Sequence, residues 1–91
     1  MQKHFDIHRR AKTVLQLLPT RDANNVKKSF GLIEENSDNL SNLRGKVFKF
    51  VGSLKNTYMI KATLSLRVIF EIMDDGHILI QDIVHRNLVG N

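Results

Sequence analysis

Apolar and polar side chains alternate over residues 58–89, YMIKATLSLRVIFEIMDDGHILIQDIVHRNLV, and this restricts the chain more than any other feature. Successive side chains on a strand point to opposite faces, so a period of two reads as half-buried sheet. Tyr58, Ile60 and Ala62 alternate with Met59, Lys61 and Thr63; past a tight turn near Leu64, Leu66, Val68 and Phe70 alternate with Arg67, Ile69 and Glu71. Folding the hairpin about Leu64 sets Lys61 opposite Arg67 on one face and Ile60 opposite Val68 on the other. The next turn, Asp74-Asp75-Gly76, suits a three-residue loop whose glycine takes positive φ. Three consecutive antiparallel strands follow, one face apolar and the other gathering Lys61, Arg67 and His85. This register sets Arg67 opposite Ile83 and beside His85, yet it turns Asp82 into the core beside Val68. Either a bulge breaks the alternation there, or the register is off by one.

Upstream the period changes to that of helices. Phe5 and Ile7 suit a short first strand. Ile7, Ala11, Val14, Leu15 and Leu18 recur at helical spacing and stop at Pro19. Thr20 or Asp22 can cap a second helix, along which Ala23, Val26, Phe30 and Ile33 form one apolar stripe. Gly31 weakens that helix by about 1 kcal/mol relative to alanine, so its C-terminal end is the less certain part. Residues 36–44 are polar and read as a loop. A strand KVFKFV and a Gly52-Ser53 turn lead into the three strands above. The order β-α-α-β-β-β-β predicts an α+β fold, with two N-terminal helices packed on one face of a small antiparallel sheet.

The 91 residues suit one domain spanning 1–91, with a modest core. No run approaches the roughly 18 apolar residues of a membrane span, so no membrane partner is expected. The opening MQKHFDIHRR carries no apolar stretch like a signal peptide, and zero cysteines exclude disulfides and thiolate chemistry. A cytoplasmic location is the expectation. A net charge of +5 favours an anionic partner such as RNA, DNA or an acidic protein. His4 and His8 stand at metal-ligand spacing, but no carboxylate or cysteine completes a site, and a surface role is expected. The chain has no glycine-rich phosphate loop, no Ser-His-Asp constellation and no nucleotide fingerprint, and no cofactor is expected. Read alone, Arg67 is a solvated strand residue paired with Glu71. Lys46 and Lys49 flank Phe48, and Lys55 follows in the turn; they suit sequence-neutral contacts to an RNA backbone or a solvated strand edge.

Several segments together resemble the RelE/ParE superfamily of toxins from toxin–antitoxin pairs. FDIHRRAKTVLQLLP is similar to that family's opening strand and first helix, and LRG at residues 43–45 to its entry into the sheet. YMIK followed by LRVIFEI resembles its central strands, and IVHR its last strand. The spacing in GSLKNTYMIKATLSLRVIF also resembles the HigB branch. The resemblance implies a RelE-like fold and a ribosome-dependent endoribonuclease that cleaves mRNA, held inactive by a cognate antitoxin. Its partners would be that antitoxin, the ribosome and mRNA. It implies that Arg67 contacts the scissile phosphate, that Lys61 and Arg86 add positive charge, and that His85 transfers protons as in YoeB-like members. This chain lacks the C-terminal tyrosine common in the nucleases, ending Leu88-Val89-Gly90-Asn91, and has Phe48 near the place of the YoeB-like glutamate base. ParE-like members, which inhibit DNA gyrase, and a toxin retaining only antitoxin binding are the alternatives.

RNA cleavage requires activating a 2′-hydroxyl, stabilising an anionic phosphorane and protonating the leaving oxygen. Fixed cations supply much of that without metal. Arg67 and Arg86 suit a bidentate grip on phosphate oxygens, and Lys61 adds a point charge. On this reading Arg67→Ala leaves folding nearly intact, because an exposed strand residue contributes within about 0.5 kcal/mol.

Overall fold

The computed structural model describes residues 5–50 and 56–89. His4, Lys55 and the Gly52-Ser53 turn lie outside these residues. Helix α1 (Arg9–Leu17) begins at His8, whose Nδ1 accepts the Arg10 N–H at 3.0 Å, and ends before Leu18-Pro19. Proline has no N–H to extend the ladder and pushes the preceding residue into extended backbone, which Leu18 adopts. Helix α2 (Thr20–Asn36) follows at once. Thr20 opens it rather than capping it, Pro19 stands at the cap without a side-chain bond, and Asp22 complements the dipole of the first turn. Gly31 does not end the helix. Burial of Val26, Phe30 and Ile33 outweighs one weak propensity, and the helix runs on to Asn36.

A five-stranded sheet is built from β1 (Phe5–Ile7), β2 (Val47–Lys49), β3 (Thr57–Lys61), β4 (Leu66–Ile72) and β5 (Ile78–His85). Their order across the sheet is β1-β5-β4-β3-β2. The element order matches the sequence reading, but the sheet is mixed rather than antiparallel. Strands β2 to β5 form an antiparallel meander, while β1 lies parallel to β5, Phe5 opposite Ile78 and Ile7 opposite Ile80. Alternation carries a period but no direction, so three residues of β1 could not announce which way they run. The segment expected to be a plain loop contains a 3-10 helix, Leu40–Leu43, which drops Leu43 into the core at 8% exposure.

Both helices cover the face bearing Ile60, Val68, Phe70, Ile78, Ile80 and Ile83, against which Ala11, Val26 and Ile33 are buried. Phe5 and Phe30 meet at 5.7 Å between ring centroids, and Tyr58 stacks on Phe70 at 5.6 Å. The β4–β5 turn takes the expected form: Met73 and His77 close it, and Gly76 sits at φ +88°.

The conflict at Asp82 resolves as a bulge. Phe70 pairs with Ile80, but the next pair along β4 is Ile69 with Asp82, so Gln81 is the extra residue. Asp82 thereby leaves the core and meets Arg10 of α1 at 3.5 Å. Gln81 donates to Glu71 at 2.8 Å. The same insertion moves every later residue of β5 to the opposite face. Arg67 therefore stands opposite Val84, not Ile83, and His85 stands opposite Leu66.

Candidate functional site

The hairpin about Leu64 forms in the expected register, with Lys61 opposite Arg67 and Ile60 opposite Val68. The Lys61 N–H donates to the Lys46 carbonyl at 2.9 Å, one step beyond the Val47–Ile60 pair. Lys46 at the entry to β2, Lys61 on β3 and Arg67 on β4 thus form one transverse row on the face away from the helices. Arg86 joins them because its backbone N–H donates to the Ser65 carbonyl at 2.7 Å, pinning the C-terminal 3-10 helix (Arg86–Leu88) to the β3–β4 turn. A cleft of about 440 Å³ opens here, lined by Lys46, Lys61, Ala62, Thr63, Leu64, Arg67 and Arg86. Among the described residues no carboxylate lines it.

Like charges directly opposite on neighbouring strands are unfavourable. Two devices restrain them. The Lys61 ammonium lies over the Phe48 ring, 5.1 Å from its centroid, a cation–π contact that fixes the side chain. Arg67 is nearly buried, at 3% exposure. Its Nη1 donates to the carbonyls of Thr63 at 2.7 Å, Leu66 at 3.0 Å and Leu64 at 3.3 Å. The expectation of a solvated Arg67 is therefore corrected. The second face is a close layer rather than an open one, with Thr57, Met59 and Glu71 also under 7% exposed.

Of the residues singled out in the sequence, Lys61, Arg67 and Arg86 meet in the cleft, and Lys46 joins them. Lys49 does not: it pairs with Tyr58, whose ring is on the helix side. His85 is not among the lining residues either. The bulge turns it to the face of Leu66, where it is exposed and its Nδ1 accepts the Asn87 N–H at 3.2 Å. Lys55 lies outside the described residues. The chemistry of the lined cleft is that of an anion site: fixed positive charge, an apolar lip at Leu64 and backbone carbonyls already committed to Arg67. The place of Lys46 was legible, since counting back by two from Phe48 puts it on the face of Met59 and Lys61. His8 caps α1, and among the described residues no cluster of three His, Cys, Asp or Glu side chains forms.

Solved structures of known proteins superpose on this architecture. The chain is similar to one in the archaeal RelE–RelB complex from Pyrococcus horikoshii, with 21% identity and a TM-score of 0.75, covering 94% of this chain and 97% of that one. The E. coli DinJ–YafQ toxin–antitoxin complex matches at 15% identity and a TM-score of 0.76, with both chains covered in full. RelBE2 from Mycobacterium tuberculosis matches at 20% identity and 0.70, covering 94% and 93%. The fold is RelE-like. No protein-family model and no curated protein sequence matches the chain.

On this RelE-like frame the departures noted in the sequence acquire a geometry. Phe48, which the resemblance set near a glutamate of YoeB-like proteins, presents a ring that holds Lys61. The strand expected to bring a histidine to the cations brings Val84 instead. Among the described residues no helix is long and apolar enough to cross a membrane.

Proposed function

We propose that this chain is the toxin of a toxin–antitoxin pair and that its basic cleft grips the backbone of RNA, with ribosome-bound mRNA as substrate and a cognate antitoxin as its inhibitor. The observation that carries the reading is the row Lys46–Lys61–Arg67 with Arg86 beside it, around a cleft without a carboxylate among the described residues. Four cations this close repel one another, and an anion bound among them offsets that repulsion. A phosphodiester is the anion that a groove of this size and charge suits. As it passes to a phosphorane it gains negative charge, and fixed cations favour that state over the ground state. The antitoxin partner rests on likeness to chains found in RelE–RelB and DinJ–YafQ complexes.

In this reading Lys46, Lys61 and Arg86 meet phosphate oxygens, and Arg67 stands behind them. Imidazole is the side-chain chemistry suited to proton transfer, and His85 is the residue the resemblance offers for it. Its position favours a second reading: with Nδ1 engaged by Asn87 and the ring on the other face, the cleft can hold RNA while cleaving it slowly or not at all. Inducing the chain in cells and mapping RNA 5′ ends separates the two. New ends within messages support cleavage; translation arrest with intact messages supports binding alone. Gyrase-linked DNA damage with intact message would sink both in favour of a ParE-like target.

A further inference from the structure

The β3–β4 turn is held by side chains rather than by a left-handed backbone position. Its sequence, Ala62-Thr63-Leu64-Ser65-Leu66, contains no glycine, proline, asparagine or aspartate, and the described part of the chain holds no non-glycine residue at positive φ. Side chains hold it instead. Thr63 Oγ1 accepts the N–H groups of Ser65 at 3.1 Å and Leu66 at 3.0 Å. On the outer side, Arg67 Nη1 takes the carbonyls of Thr63, Leu64 and Leu66, whose distances are given above. Nη1 has two hydrogens, so three carbonyls share them. The turn in turn supplies three of the seven cleft-lining residues and, through the Ser65 carbonyl, holds the backbone of Arg86.

We propose that Arg67 is a positioning residue rather than a phosphate ligand: its guanidinium sets the β3–β4 turn, and the turn sets Arg86 and the floor of the cleft. A lysine cannot replace it in this role. An ammonium at the end of a flexible stem keeps the charge, but it lacks the planar fork that reaches several carbonyls at once. The Nη1 hydrogens of Arg67 are directed at backbone oxygens, whereas Lys46, Lys61 and Arg86 are assigned to the anion. The inference rests on the RNA-gripping reading above.

The test uses the full chain and a short single-stranded RNA with 2′-O-methyl sugars, so that binding is read without cleavage. Affinity is measured across a salt series for wild type, Lys61→Gln, Arg67→Lys, Arg67→Gln and Thr63→Val. A side chain that neutralises a phosphate lowers the log–log salt slope by about 0.7 when removed. Lys61→Gln is expected to lower the slope by that amount. Arg67→Lys and Arg67→Gln are expected to lose affinity equally, roughly tenfold, and to share one slope, since both displace Arg86 alike whatever charge stands at position 67. Thr63→Val, which removes only the other anchor of the turn, is expected to do the same. Near-wild-type affinity in Arg67→Lys with a reduced slope in Arg67→Gln would overturn the inference and make Arg67 a phosphate ligand. Amide exchange at Ser65 and Leu66 supplies an arm that needs no RNA: it is expected to accelerate in both Arg67 variants, and unchanged protection overturns the positioning role. Salt-independent or absent RNA binding by wild type defeats the RNA-gripping reading itself, while the exchange arm still decides whether Arg67 holds the turn.

Discussion

Lys46, immediately before β2, is joined to Lys61 of β3 by the backbone bond from the Lys61 N–H to the Lys46 carbonyl. Neither can move away without breaking that bond, so their repulsion is built in. Replacing Lys46 by glutamate gives Lys61 an opposite charge in reach, which favours folding by up to about 1 kcal/mol. The same change removes one cation from the cleft and adds an anion. Thermal unfolding should therefore shift upward while RNA affinity drops at least tenfold. A protein destabilised by Lys46→Glu would mean that the two lysines do not oppose each other.

Arg67→Ala is expected to cost about 2 kcal/mol of stability, not the small fraction expected of an exposed strand residue. Three carbonyls lose a charged donor, and hydrogen bonds to charged groups contribute roughly 1.5–3 kcal/mol. Urea denaturation followed by circular dichroism measures this. A loss below 0.5 kcal/mol on the scale of ordinary surface substitutions would show that these bonds contribute little.

Phe70 is fully buried at the centre of β4 and stacks on Tyr58. Phe70→Ala should cost about 3–5 kcal/mol through lost burial and the cavity left behind. In a chain of this size that removes a large share of the total stability. Chemical denaturation should show a transition at much lower denaturant, or a chain already unfolded in buffer. A variant within 1 kcal/mol of wild type, on the scale of volume-conserving core swaps, would contradict the packing described.

Gly76 closes the β4–β5 turn at φ +88°, with open space where a Cβ would go. The cost of Gly76→Ala is then backbone strain alone, about 1–2 kcal/mol. Differential scanning calorimetry should resolve it as a lower melting temperature with RNA affinity unaltered.

His85→Ala removes the cap of the last 3-10 helix but no lining residue of the cleft. RNA affinity should stay within about twofold of wild type. Stability should fall by no more than about 1 kcal/mol, the usual scale for a lost cap. A loss of cleavage without a loss of binding would restore His85 to proton transfer.

Much of this fold could be read from local patterns. The Leu64 hairpin, the Asp74-Asp75-Gly76 turn and the break at Pro19 all follow from period, turn chemistry or a missing N–H, and each involves residues close in sequence. What escaped depends on distant partners or on a single inserted residue. The parallel pairing of Phe5 with Ile78 leaves no local mark. The bulge at Gln81 was visible only as a misplaced Asp82, and its consequence was the transfer of His85 to the other face. The burial of Arg67 was the hardest to foresee, because an arginine between Leu66 and Val68 reads as the polar half of an alternating strand. Only the turn geometry reveals that its Nη1 donates to backbone oxygens. The grouping of Lys61 with Arg67 was legible; Lys49, read as an RNA-backbone contact or a solvated strand edge, stands opposite Tyr58, and the bulge sets His85, expected beside Arg67, opposite Leu66.

Strand β1 is tied to the far end of the chain twice, through its ladder to β5 and through Asp6, whose carboxylate meets His77 at 2.7 Å across a separation of 71 residues. Every other strand pair in the sheet joins strands that are neighbours in sequence. Closing a long loop costs more chain entropy than closing a short one, and long-range pairing slows folding. The meander β2 to β5 can therefore assemble while Phe5–Ile7 still waits. During synthesis β1 is made before the whole meander it must join, and until it docks the outer edge of β5 stays open to any other extended segment that reaches it.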